Sequence, residues 1–272
     1  MKTVTALLLS ALCLAVFATT TSQAQQNGGI DPEALIERVL AVEHRQQAML
    51  EDVVFDAEYV EREEDDGEYK EKLRIVKKVY IKYLEDTTLY KEEFLELYKD
   101  GERKSEKDLR NEYKDRMEKK EKRKGRDVSY PMLKPFWPEY RPLYDISYQG
   151  VSDERIEGYV CHHFRVDAKE EVDTLLNGDY YFEAGAFHLV RVDFSPAKLV
   201  KKTMFRMKEL NMTIVYGSTS DDIWVPERFD VQGKGKAALF FGVNFAGTEY
   251  YRDPEVNVGL DDDLFLENEE EE

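Results

Sequence analysis

The residues in this chain best equipped for chemistry are Cys161, His162 and His163, one thiol followed by two imidazoles. Side chains alternate sides along a strand, so Cys161 and His163 would share a face and offer two ligands to one metal ion. A third and fourth ligand are not visible. His44 falls on the first helix and His188 on another strand, and nothing in the spacing brings them near, so the favoured reading is ordinary strand residues. With four histidines and two cysteines in 272 residues, most general-base and nucleophile schemes are short of parts. The P-loop, G-x-S-x-G, H-E-x-x-H and G-x-G-x-x-G patterns are absent, and Gly233-Lys234-Gly235 reads as a turn. Carboxylate pairs abound only because acids abound, so a glycosidase reading has no specific support. The chain is therefore expected to be no enzyme, with no catalytic residue, no metal site and no cofactor.

The start of the chain sets the expected compartment. Lys2 gives a positive n-region, Val4 to Phe17 is apolar, and Ser22 and Ala24 place small residues before a cut after Ala24. Such a signal peptide predicts an exported, soluble mature chain. Cys13 lies inside the apolar run, with bulky Leu12 before it, which argues against acylation there. Only Cys161 survives the cut, so no intramolecular disulfide is expected, and the lone thiol reads as a small buried hydrophobe. A formal charge of −18, becoming −19 once Lys2 is lost, argues against nucleic-acid binding, which needs a basic face. Charge is also unevenly placed. Eight of the twelve residues from Asp261 to Glu272 are acidic, which predicts a self-repelling tail, while eight of the thirteen from Lys114 to Arg126 are basic. That basic run reads first as a solvated helix or loop with pairs such as Glu118 and Lys122, and second as a contact for anionic lipid or an acidic partner. Asn211-Met212-Thr213 matches a glycosylation sequon, relevant only in a eukaryotic secretory pathway.

Whatever these side chains do, a mostly β architecture must position them. Asp31-Pro32-Glu33 is a helix start, and Leu35, Ile36, Val39, Leu40, Val42 and Met49 recur at helical spacing, predicting an amphipathic helix over Pro32 to Leu50. The period then changes to two. Val53, Phe55, Ala57 and Tyr59 alternate with polar residues, Asp65-Asp66-Gly67 offers a hairpin turn, and strands are expected over Leu73–Tyr83 and Thr88–Tyr98. Residues 102–127 carry few apolar anchors and read as a charged insertion, helical or mobile and dispensable for folding. Pro131, Pro135, Pro138 and Pro142 punctuate an aromatic segment that must be an ordered loop or short helical turns packed over the sheet. Six further strands follow between Tyr159 and Tyr251, with turns at Asn177-Gly178, Glu183-Ala184-Gly185, Ser218–Asp222 and Gly233-Lys234-Gly235. The pattern is an antiparallel meander: signal peptide 1–24, one domain over 25–260, acidic tail 261–272.

Alternation carries one more inference. Leu239, Phe241, Val243 and Phe245 share a face, as do Leu210, Met212, Ile214 and Tyr216, and Val190, Val192 and Phe194 on an earlier strand. These side chains face one side of a long curved sheet. They form either a dry core or the wall of an apolar cavity.

The order of features resembles a known family. The helix is followed by Gly158-Tyr159-Val160-Cys161, Tyr180-Tyr181-Phe182-Glu183 leading to Leu189-Val190-Arg191-Val192, then Asp222-Ile223-Trp224-Val225-Pro226. Tyr250-Tyr251-Arg252 and Asn257-Val258-Gly259-Leu260 run on to Phe265. Over most of residues 31–265 this resembles the LolA-like outer-membrane lipoprotein-sorting proteins of the bacterial periplasm. The resemblance implies an incomplete antiparallel β-barrel wrapped over the N-terminal helix and the Pro/aromatic loop. Its concave face would hold acyl chains of a lipoprotein or lipid in the periplasm, with Val190, Val192, Met212, Ile214, Tyr216, Leu239, Phe241, Val243 and Phe245 as lining candidates. It also implies transient contact with a membrane or a membrane-bound acceptor. The charged insertion and acidic tail depart from the family pattern, and the family arginine that helps govern lid opening matches no position here. Two other readings compete: a periplasmic sensor or interaction domain that binds a protein partner with the same half-barrel, and a hydrolase.

Overall fold

The computed structural model describes residues 31–85, 87–121, 132–199, 201–202, 205–237 and 241–266. The expected signal peptide, the Leu239 candidate and the end of the acidic tail lie outside them. Helix α1 spans Pro32–Met49, with the Asp31 carboxylate accepting from the Glu33 amide at 3.0 Å and Pro32 in the first turn. Its buried stripe is Leu35, Ile36, Val39, Leu40 and Val42. Long strands follow: β1 (Asp52–Asp65), β2 (Glu68–Tyr83), β3 (Thr88–Lys99) and the short β4 (Glu102–Arg103). Asp66 and Gly67, at φ 54° and 85°, make the left-handed two-residue turn that the β1–β2 twist requires. Helix α2 covers Glu106–Glu121, and two short helical turns, Lys134–Phe136 and Arg141–Leu143, carry the Pro-rich segment. The chain then runs through β5 (Tyr144–Val151), β6 (Cys161–Ala168), β7 (Leu176–Glu183), β8 (Leu189–Pro196), β9 (Lys201–Lys202), β10 (Phe205–Ser218), β11 (Trp224–Ala237) and β12 (Phe241–Val256).

All strands join one antiparallel sheet in the order β4-β3-β2-β1-β12-β11-β10-β8-β7-β6-β5, with β9 paired to β10. Two meanders are thus stitched together where β12 pairs with β1, and the outer strands β4 and β5 do not meet, which leaves the barrel incomplete. The core lies on one face. Leu35, Ile36, Val39 and Leu40 of α1 and Leu133 and Phe136 of the Pro-rich loop pack on Phe164, Val166, Tyr180, Phe182, Val192 and Phe194. Phe136 meets Phe164, Tyr180 and Phe182 edge-on at centroid distances of 5.8, 5.1 and 5.6 Å, a favoured aromatic geometry. Arg141 ties this loop to α1, donating to the Phe136 carbonyl at 2.7 Å and pairing with Glu33 and Glu37 at 2.7 and 3.1 Å.

Several expectations need correction. Asn177-Gly178 and Gly233-Lys234-Gly235 are not turns; both lie inside strands. Glycine is required there by close approach rather than by a turn. A Cβ on Gly178 would sit 2.9 Å from the Asp193 carbonyl oxygen and 3.2 Å from the Tyr180 ring, and one on Gly233 would overlap the Phe245 ring. Strand β5 is an element the sequence reading lacks, because Tyr144–Val151 follows directly on the Pro-rich loop and presents only Tyr144, Ile146 and Tyr148 inward. The 102–127 insertion does bury a face: Leu109 packs on the Leu73, Ile75 and Leu97 cluster, and Tyr113 meets Phe94 at 5.3 Å. Leu109 and Tyr113 are one turn apart, a spacing too sparse to stand out among so many charges. Residues Asp261–Leu266 of the expected tail dock by a short turn, Asp262 pairing with Lys82 at 2.6 Å and the Leu264 carbonyl accepting from Lys91 at 2.8 Å.

Candidate functional site

Strand register decides which side chains share the concave face. Across the sheet, Tyr59 pairs with Ile75 and Glu249, Ala57 with Lys77 and Tyr251, Glu249 with Phe229, Phe229 with Ile214, and Ile214 with Val192. The candidates Val190, Val192, Met212, Ile214, Val243 and Phe245 fall on this one face, as their alternation requires. Tyr216 keeps the same parity along β10, the register shift beside it coming from an extra residue, Glu227, on β11. The structure then divides them by exposure. Val190 and Val192 are at 0% exposure in the dry core. Met212, Ile214, Tyr216, Val243 and Phe245 are only partly buried, together with Phe229 and Val231. Of Phe241 the described part is the backbone, which pairs with Ala237. Along this apolar stripe, Met212, Ile214 and Phe229 pack at the edge of the core under α1 and the Pro-rich loop, and in strand order Val243 and Phe245 on β12 lie between that core and the area under α2.

Beside the stripe sits a polar cluster. Lys77, 5% exposed, lies on the apolar face between Ile75 and Val79 and contacts the Glu92 and Glu249 carboxylates, the latter at 2.6 Å. The Tyr90 hydroxyl donates to Glu92 Oε1 at 2.8 Å, and the Tyr251 phenol bonds Glu249. Burial works against the Lys77 ammonium, but the two carboxylates outweigh it and hold its pKa above the usual lysine value. Desolvation first, then neighbouring carboxylates, push the Tyr90 and Tyr251 phenols upward. The Tyr59 phenol rises to about 12 chiefly through burial, with Arg116 of α2 stacked 5.0 Å from its ring. Tyr83 reaches about 12 for the same reason, with the Glu43 charge of α1 adding to it. Glu43 itself is raised by burial. Tyr83 and Tyr90 are nonetheless 37% and 39% exposed. The arrangement offers apolar contact along β10, β11 and β12 and a hydrogen-bonding, net anionic floor along β1, β2, β3 and β12.

The Cys161-His162-His163 run takes ordinary structural roles. His163 Nε2 bonds Asp179 at 2.8 Å and its ring stacks on Tyr181, whereas His162 turns inward, Nδ1 lying 2.9 Å from the Tyr148 hydroxyl. Cys161 is fully buried, and burial raises its thiol to about 11, far from a reactive thiolate. His188, expected on a strand, lies instead in the β7–β8 connection just before β8 and stacks on Trp224 at 5.0 Å. The outer face carries cross-strand ion pairs, such as Arg165 with Asp179 and Asp167 at 2.7 and 2.6 Å and Arg228 with Asp230 at 2.8 Å. Two open grooves lie away from the stripe. One of about 440 Å³ is outside β10–β12, beside Arg228, Tyr250 and Pro254. Another of about 400 Å³ separates α1 from the β7–β8 hairpin. Sequence reasoning missed the polar cluster. Its signal was present in the lysine at position 77, which interrupts an otherwise apolar period of Leu73, Ile75, Val79 and Ile81.

Among the described residues, no helix is long and apolar enough to cross a membrane. No family model and no curated protein matches the chain. Solved structures do. A DUF1329 family protein from Desulfovibrio piger is similar at 14% identity and a TM-score of 0.46, over 88% of this chain and 98% of that one. A domain described as outer-membrane lipoprotein-sorting from Vibrio parahaemolyticus has 12% identity and a TM-score of 0.43, over 86% and 98%. A LolA superfamily protein from Nitrosomonas europaea has 9% identity and a TM-score of 0.32, over 84% and 97%. The solved structures similar to this chain thus include proteins of the LolA-like kind that its sequence resembles.

Proposed function

We propose that this protein is a non-catalytic carrier that holds the acyl chain of a lipid or lipoprotein against the concave face of its half-barrel. The observation that carries the reading is the stripe of Met212, Ile214, Phe229, Val231, Val243 and Phe245, large apolar side chains that stay only partly buried, the first three at the border of the core under α1 and the others beyond it. An isolated exposed apolar residue is ordinary, but a contiguous concave row of six calls for an occupant. Burial of an acyl chain there is worth about 0.8 kcal/mol per methylene, so no metal or nucleotide is needed to drive loading. Unloading then requires a membrane or membrane-bound acceptor that holds the chain better. On this reading the chain works in the periplasm after cleavage following Ala24.

Titration of a fluorescent fatty-acyl probe tests the proposal. The wild-type protein should bind saturably, and Val243→Glu should abolish binding by placing a carboxylate against the chain at a desolvation cost of several kcal/mol. Because Val243 is only partly buried, the variant should keep its fold, which its melting temperature verifies. A wild-type protein that binds no acyl probe and leaves its native periplasm without lipid or lipoprotein refutes the carrier reading.

A further inference from the structure

The two outer edges of the incomplete barrel are built differently. The free edge of β3 carries Lys91, Glu92, Glu93 and Glu96, shifts register opposite Val76 and Lys77, and meets the docked Leu264 carbonyl at Lys91. Charge, a bulge and a cover are means by which sheet edges are kept from pairing with other chains. The edge of β5 has fewer of them. Asp145 is its one ionised side chain, and its bulge, at Gln149, lies towards the end of the strand. Leu143 and Val151, 41% and 45% exposed, mark its two ends.

The β5–β6 register shows which backbone groups this edge leaves over. The Lys169 amide donates to the Leu143 carbonyl at 3.0 Å, and the same register runs from Tyr144 opposite Ala168 to Tyr148 opposite Phe164. Bonded and non-bonded residues alternate in an antiparallel ladder, so Asp145 and Ser147 turn their amides and carbonyls to β6, while Ile146 and Tyr148 turn theirs to the open edge. Among the described residues nothing bonds these groups of Ile146 and Tyr148. Their side chains point inward onto the core, and Asp145, Ser147 and Gln149 are exposed on the outer face.

This short edge is its own complement. Two copies laid antiparallel about a two-fold axis at Ser147 set Ile146 of each opposite Tyr148 of the other, and every one of the free amides and carbonyls finds a partner. On the inner face the facing pairs are then an aliphatic side chain and an aromatic ring, a favoured cross-strand combination. On the outer face Asp145 falls opposite Gln149 and Ser147 opposite Ser147, so no like charges meet. The same axis brings Leu143 of one copy level with Val151 of the other.

We propose that β5 is a homodimer interface, at which a second copy of this chain adds its own β5 and joins two half-barrels into one continuous sheet. The apolar stripe on β10–β12 lies several strands away and is left untouched. Sedimentation equilibrium of the mature chain tests the proposal. We expect a dimer fraction that rises with concentration below about 1 mM, and slowed hydrogen exchange of the Ile146 and Tyr148 amides in the dimer. Ser147→Lys and Ser147→Glu each set like charges across the axis and should weaken dimerisation about tenfold or more, whereas an equimolar mixture of the two should pair again. Ser147 is exposed, so both variants should keep the wild-type melting temperature. Register is read by cross-linking with diamide as oxidant. Ser147→Cys places two thiols on facing residues within disulfide reach, and Asp145→Cys places them about 13 Å apart, beyond it. Cys161, at 0% exposure, does not compete. A wild type that stays monomeric to about 1 mM overturns the proposal. So does a dimer that persists equally in Ser147→Lys and Ser147→Glu, or cross-linking that proceeds as readily from position 145 as from 147. If the Ile146 and Tyr148 amides of a monomeric wild type are protected only when a different protein is added, the edge takes another chain and the proposal is wrong.

Discussion

Replacing Lys77 with Met should expose how the concave floor is held. Lys77 is buried, with the Glu92 and Glu249 carboxylates on its ammonium, and both acids are themselves mostly buried, at 13% and 15% side-chain exposure. Methionine fills the same volume but leaves two carboxylates facing each other without a counter-charge. Removing one partner of a buried pair costs about 3–5 kcal/mol, far more than the net worth of the intact pair. Lys77→Met should therefore lose about 3–5 kcal/mol in urea denaturation at pH 7, whereas Lys77→Met with Glu92→Gln and Glu249→Gln should recover most of that loss. The pH dependence follows by sign. In the wild type the folded pKa of Lys77 lies above its unfolded value, so its stabilisation is present below the unfolded pKa and is lost as alkaline pH rises through the folded one. In Lys77→Met the orphaned carboxylates should have folded pKa values above their unfolded ones, so stability should return as pH is lowered from 8 towards 5. A loss below about 1 kcal/mol at pH 7, or a Lys77→Met penalty that does not shrink on acidification, would refute the assignment of this triad as a desolvated charge cluster.

The remaining predictions test what frames the site. Asp52, 2% exposed, accepts from the Val258, Gly259 and Leu260 amides at 2.7, 2.9 and 2.8 Å, so Asp52→Ala should cost about 3 kcal/mol and open the 257–266 segment to protease. Gly233→Ala should push the Phe245 ring aside, lowering stability by about 1–3 kcal/mol and weakening acyl-probe binding, while Gly242→Ala, with open space at its Cβ, should do neither. Replacing residues 102–127 by a short Gly-Ser link should lower the melting temperature measurably, because α2 covers Ile75 and Leu97, each at 1% exposure; an unchanged melting temperature would mean the helix contributes no net cover.

The helix start at Asp31-Pro32, the Asp66-Gly67 hairpin and the shared face of Met212, Ile214, Val243 and Phe245 were legible in the sequence. Each depends on a local rule: a cap, a left-handed turn, an alternation of period two. Glycine was where local reading failed. Gly67 and Gly178 look alike in a string of letters, yet one bends the chain and the other lies flat in β7 beneath the Tyr180 ring and beside β8, a demand made by residues far away in sequence. The division of the apolar face was equally invisible. Val192 and Val243 have the same side chain and the same parity, but α1 and Phe136 close over the first and leave the second half-open. Lys77 was a visible irregularity in the sequence, and only strand pairing made it a site. Tyrosines and carboxylates from β1, β3 and β12 converge on it because β12 returns to pair with β1, bringing Glu249 beside Tyr59 from the far end of the chain. Local chemistry determined the elements and their faces; long-range register and the placement of two helices decided which of those faces stayed open.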